Sequence, residues 1–445
     1  MNLLIFAALV SSVGTFDTSK LTIPHTTFTL ESNGLQVVLA KDPRLPIVAV
    51  NIWYHVGPIN ESKGRTGFAH LFEHLMFQGS EHVGDDLHFK LLESRGASLV
   101  NGTTGNDRTN YFETVPSNEL ELALWLESDR MGYLLGSLTQ EKLDNQRKVV
   151  QNERRQSVEN QPYGPSEERM VELLYPPGHP YHGNVIGSMD DLNAATLDDV
   201  KNFYNAYYAP ANATLVIAGD FDDQQARALV AKYFGTLSKR VVADKSAQMT
   251  PKPVLPLREE VHEPVALPKV SMAWLTPSAF APGDAACDVL AFILGGGKSS
   301  RLYRRLVYNL QIAQAAHASQ ASSQLSSMFG IDVIARPGSN METIEKEVGS
   351  VIATLANEGP TEIELEQAKN ALVTHTVSSL QRIGGFGGVA DTLNRYNHYL
   401  GTTEFLQKDI ERYITLTQND IKQAAGKYLS PTDTAVVVTV PEVAQ

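Results

Sequence analysis

Apolar and polar residues alternate with a period of two from Thr27 to Tyr54, in Thr27-Phe28-Thr29-Leu30, Leu35-Gln36-Val37-Val38-Leu39 and Ile47-Val48-Ala49-Val50-Asn51-Ile52-Trp53-Tyr54. That period predicts three strands, with Asn33-Gly34 as the hairpin turn between the first two. The period then lengthens. From Gly67 to Phe77 the apolar residues fall at helical spacing, with Thr66 as candidate N-cap and Gly79 as candidate stop. His88 to Arg95 is amphipathic, and Ser98–Thr104 with Thr109–Val115 returns to alternation as a second hairpin. Leu120–Gly132 and Glu141–Ser157 read as long helices, the latter strongly charged.

The same succession comes round again. Thr196-Leu197-Asp198-Asp199-Val200-Lys201, followed by Tyr207 and Pro210, reappears as Thr417-Gln418-Asn419-Asp420-Ile421-Lys422 with Tyr428 and Pro431, at a constant offset of 221 that Trp53 and Trp274 share. So long a period means duplicated domains, because one repeat is large enough to own a core. The 445 residues also exceed what one core supports. The expectation is an α+β protein of two homologous domains, 18–237 and 264–445, each a mostly antiparallel sheet packed with helices. The connection is placed at 238–263, where Lys252-Pro253 and Leu255-Pro256 break regular structure.

Charge narrows the partners. A formal net charge of −13 argues against nucleic acid or an anionic membrane surface. The single cysteine, Cys287, allows no intrachain disulfide and no sulfur ligand set. Met1–Gly14 carries an apolar run too short to span a bilayer, with the look of a signal h-region but neither a basic n-region nor a clean cleavage site. It points to an exported or periplasmic protein, with a cytoplasmic one as the alternative, and no other stretch is long enough for a membrane span.

The candidate chemistry sits on the 67–77 helix, which spells His70-x-x-Glu73-His74. Residues i and i+4 leave one face with Cβ atoms about 6 Å apart, so two ring nitrogens can converge on one zinc ion. Glu73 lies beside that face, placed to act as general base on a water rather than as a ligand. The same pair also suits a hydrogen-bonded feature of a packed helix, and five residues do not separate the two. A catalytic zinc needs a third protein ligand. Glu153 follows Val149-Val150 on the charged helix, yet spacing does not choose it over Glu141 or Glu159, or over a surface salt bridge. In the second half His262, His317, His375 and His398 show no metal spacing, Gly295-Gly296-Gly297-Lys298-Ser299 lacks the first glycine of a phosphate loop, and Gly384–Gly388 reads as a loop or hinge.

Gly67–Ser80, Gln146–Tyr163 and His179-Pro180-Tyr181 through Ala213–Asp220 together resemble the pitrilysin/insulinase family of zinc peptidases. The likeness is to its short branch, which holds the processing-peptidase beta subunit and bacterial relatives, and it runs from about Thr27 to the end of the chain. The resemblance implies a zinc endopeptidase that takes unfolded or short peptides into a clamshell chamber. It implies one Zn2+ per chain on His70, His74 and Glu153, with Glu73 catalytic and Gln146 supporting the site where the family usually has Glu. It also implies an edge strand at Asn101, Gly102, Thr103 and Thr104 to which substrate adds. Aligned from Ser300-Arg301-Leu302, the family's substrate-binding Arg and Tyr fall on Val307 and Gln314, with Tyr303, Arg304, Arg305 and Tyr308 nearby. The expected assembly is therefore a heterodimer with a metal-less homologue that supplies them, a homodimer being the second choice. The rival reading is a non-catalytic scaffold or binding subunit on the same fold.

Overall fold

The computed structural model describes residues 18–243 and 252–442. The apolar segment Met1–Gly14 and the middle of the predicted connection lie outside them.

Two sheets carry the architecture. The first contains β1 (Thr26–Thr29), β2 (Gln36–Lys41), β3 (Ile47–Tyr54), β4 (Leu99–Gly105), β5 (Arg108–Pro116) and β6 (Ala213–Gly219), in the order β1-β2-β6-β3-β5-β4. All its pairings are antiparallel except β2 with β6. The second contains β7 (Leu257–Glu263), β8 (Lys269–Thr276), β9 (Ala313–Ala321), β10 (Ser327–Ala335) and β11 (Thr434–Pro441), in the order β7-β11-β8-β10-β9, again with one parallel pair, β7 with β11. From β2 and β7 onward the two orders are the same. The offset of 221 holds at both ends of the repeat: β2 starts at 36 and β7 at 257, β6 at 213 and β11 at 434. Helices 197–207 and 418–428 keep it too, and each opens with the same Thr/Asp capping box.

The predicted connection reaches too far. Residues 257–263 are β7, the edge of the second sheet, in which Leu257, Glu259 and Val261 alternate with exposed Arg258, Glu260 and His262. An edge strand can carry charges on its wet face, so its alternation is written in charged residues and resembles a polar linker.

The helices do not respect the division between the sheets. In the first half they include α1 (Phe68–Leu75), α2 (Leu87–Ser94), α3 (Leu120–Ser137), α4 (Gln140–Arg154) and α5 (Gly164–Leu174). α5 crosses to the second sheet and packs on β7, β8 and β11, burying Met170, Leu173 and Leu174 against Ala273, Ala435 and Val437. In return helix 389–400 packs on β2, β3 and β6 of the first sheet, with Ala390 and Leu393 against Val38, Val216 and Ala218. These two helices are themselves near-equivalents under the repeat. The glycine-rich loop before helix 389–400 lies close on the first sheet: a Cβ at Gly384 would stand 2.5 Å from Ala49 Cβ and 2.9 Å from Thr114 Oγ1. Only a residue without a side chain lets this loop lie on the sheet.

Each half owns a core, and Cys287 is buried in the second. Burial among apolar neighbours pushes its thiol up to about 12, with Asp284 and Asp288 adding to the shift. Thiolate is the reactive form, so the folded protein should stay unmodified by iodoacetamide at pH 8 and should react only after denaturation, as intact mass would show.

Candidate metal centre

α1 presents one apolar face inward. Phe68, Ala69, Leu71, Phe72 and Leu75 are buried, each large one contributing about 1.5–3 kcal/mol on transfer from water. Phe72 stacks on Tyr208 at 4.9 Å between centroids, and its carbonyl accepts from Tyr111 Oη at 3.3 Å. The helix start differs from the sequence expectation. Gly67, at φ 84°, takes the cap position, and Glu61 caps from the preceding loop, accepting from Gly67 N at 3.0 Å and Ala69 N at 2.8 Å. Thr66 instead donates to Asp191 at 2.6 Å. A loop carboxylate satisfies the free N–H groups and the positive end of the helix dipole together.

The other face of α1 meets α4, and there three candidate donor groups come together. Glu153 lies 3.6 Å (Oε1) from His70 Nε2 and 3.1 Å (Oε2) from His74 Nε2, with the two rings 4.9 Å apart. Donor atoms of all three lie within 4.8 Å of one another. Two ligands each 2.0–2.1 Å from a tetrahedral zinc are about 3.3 Å apart, so the three groups fit one ion. His70 Nδ1 is buried without a hydrogen-bond partner, and it is Nε2 of that ring that faces Glu153. The imidazoles of His70 and His74 hold the Glu153 carboxyl well below the usual carboxylate range. Side chains of His70, His74 and Glu153 are 12, 23 and 41% exposed, so the group is partly open to solvent.

Neither Glu141 nor Glu159 joins this group. On α4, Val150 is buried while Val149 is 40% exposed, so one member of the apolar pair, not both, marks the packed face. Next to Glu153, buried Arg154 forms a two-point bond to Glu168 of α5 at 2.9 and 2.7 Å and fixes the end of α4. Gln146 is buried two turns before Glu153 on the same side of α4.

Glu73 stands outside the ligand group, its Oε2 accepting from Thr104 Oγ1 at 2.6 Å. β4 is the edge of the first sheet, so Asn101, Gly102, Thr103 and Thr104 occupy a free strand edge beside α1. Their side chains differ in task. Asn101 is exposed, Thr103 donates to Asn110 Oδ1 at 2.5 Å, and Thr104 serves Glu73. Val307 is half-buried against the second core, and Gln314 is exposed on β9.

A second cluster went unseen in the sequence. His88 on α2, Glu113 on β5 and Glu127 on α3 are buried with donor atoms within 4.8 Å of one another. Arg130, itself buried, binds both oxygens of Glu127, so a guanidinium already supplies the positive charge there. Burial, and then the Glu127 charge, raise the Glu113 carboxyl well above its usual range. Among the described residues no such cluster occurs in the second half.

Known proteins resemble this chain along nearly its whole length. A family profile described as insulinase (peptidase family M16) matches residues 36–175, and one described as the peptidase M16 inactive domain matches 194–372. A relative from Helicobacter pylori called zinc protease PqqE is 30% identical over 424 residues, covering 94% of this chain and 93% of that protein. The chain belongs to the M16 peptidase family. Among M16 relatives, a probable mitochondrial-processing peptidase subunit beta from Arabidopsis thaliana is 23% identical over 94% of this chain and 78% of its own length. The crystal structure of a protease from Helicobacter pylori superposes with a TM-score of 0.87 at 28% identity, covering 95% of this chain and all of that one. In this M16 chain the stretch matched by the insulinase profile, residues 36–175, contains His70, His74 and Glu153. Among the described residues no helix is long and apolar enough to cross a membrane.

Proposed function

We propose that this M16 chain is the catalytic subunit of a zinc-dependent endopeptidase acting on unfolded or short peptides. The observation that carries the reading is the convergence of His70, His74 and Glu153 on one point while Glu73, one residue from a ligand, stays free of it. An ion held there would polarise a scissile carbonyl and make a nearby water acidic enough to lose its proton near pH 7. Glu73, with one oxygen bonded to Thr104, has the other for taking that proton and handing it to the leaving amine. A substrate backbone would add as an extra strand along the open edge of β4. That mode needs an extended segment, hence unfolded or short substrates.

The Arg and Tyr that the family resemblance calls for are Val307 and Gln314 here. Valine cannot bond a carbonyl, and glutamine cannot replace a phenol at an oxyanion. A homologous metal-less subunit would supply them. The test is cleavage of a quenched, unstructured peptide by the purified chain, alone and with such a subunit. The expected result is chelator-sensitive activity that is strong only with the partner and returns with zinc. Full activity alone would remove the second subunit. Zinc binding with no cleavage in any combination would favour a scaffold.

A further inference from the structure

We infer that Thr104 is a positioning residue for the general base: its hydroxyl holds the Glu73 carboxylate in place beside the strand edge that receives substrate. This rests on the peptidase reading above. The Oγ1 to Oε2 distance of 2.6 Å is that of a hydroxyl donating to a charged oxygen. A threonine hydroxyl has one proton, and here it is spent on Glu73, so Thr104 has none to offer a peptide.

The strand is built for this contact. Residues 102 and 104 of β4 point to the same side, toward α1, while the Thr103 hydroxyl points away, donating to Asn110 and accepting from Arg108. Gly102 lets the strand come close, because a Cβ there would stand 2.9 Å from Glu73 Cγ, 3.2 Å from Tyr111 Cδ1 and 3.3 Å from Phe77 Cε2. Tyr111, opposite Gly102 in the ladder, bonds the Phe72 carbonyl, so β4, β5 and α1 are tied within one turn of the base. A glutamate at a half-exposed position has three side-chain torsions to fix, and one bond to a rigid strand fixes its far end. The bond takes one carboxylate oxygen and leaves the other for the proton transfer. The strand that offers the substrate edge thus also holds the base on the neighbouring helix.

The test compares Thr104→Val, which keeps the shape and loses the donor, with Thr104→Ser, which keeps the donor, in the active assembly. A hydrogen bond to a charged group corresponds to about a tenfold to hundredfold effect, so Thr104→Val should lose that much kcat on a quenched, unstructured peptide. KM should stay within about twofold, and Thr104→Ser should recover most of the rate. Two readouts do not depend on turnover. Bound zinc should remain as in the wild type, and the affinity for uncleaved peptide, measured in a Glu73→Gln background, should not change when Thr104→Val is added. Wild-type kcat in Thr104→Val, equal damage from Ser and Val, or lost peptide affinity in the Glu73→Gln background would each overturn the role. A wild-type assembly without peptidase activity would overturn the peptidase reading and this role with it, whereas an active wild type matched by Thr104→Val overturns the role alone.

Discussion

Glu73→Gln is expected to lower kcat by between about a hundredfold and ten thousandfold while leaving the zinc content and the melting temperature unchanged. Glutamine keeps the size and can still accept from Thr104 through its amide oxygen, so the packing of α1 against β4 is preserved. What it loses is the ability to take a proton. Because Glu73 lies outside the group formed by His70, His74 and Glu153, the ion should bind as before. Steady-state kinetics beside metal analysis checks the split. A rate within threefold of wild type would mean that the proton goes elsewhere.

Glu153→Ala should have the opposite profile in metal: zinc affinity falls by at least about a hundredfold, beyond the usual cost of losing an outer-shell partner, and activity goes with it. The fold should survive. Glu153 is 41% exposed, and α4 is held by buried Leu143, Val150 and Arg154, none of which depends on it. Glu141→Ala and Glu159→Ala serve as controls, and both should bind zinc like the wild type because neither belongs to the group. Competition against a chromogenic chelator, with circular dichroism on the same samples, measures both halves of the expectation.

How far the sequence could lead follows from the range of each interaction. His70, Glu73 and His74 share one helical turn, so local periodicity alone placed their side chains. That the second half repeats the first was legible, since the two ends of the repeat keep the same offset, whereas the strand order within each sheet came only with the structure. Glu153 needed the packing of α4 against α1, a contact between segments some eighty residues apart that no local pattern encodes, and only family resemblance singled it out. The cap from Glu61 was hidden for a related reason: a loop carboxylate reaches forward six residues to bond Gly67 N, whereas the usual signal looks for a side chain at the cap itself. The exchange of α5 and helix 389–400 between the sheets has no sequence signature, because each helix shows an apolar face and nothing in that face says which sheet it will cover. The Arg130 cluster was invisible because buried charges look like any others until their partners are known.

The central claim is that one zinc ion sits on His70, His74 and Glu153. Crystals of zinc-loaded protein, with anomalous scattering collected above and below the zinc edge, test it most directly. The expected result is a single strong peak per chain, about 2.0–2.2 Å from both Nε2 atoms and from a Glu153 oxygen. No peak there after zinc loading, or a peak with Glu153 turned away from it, would contradict the claim.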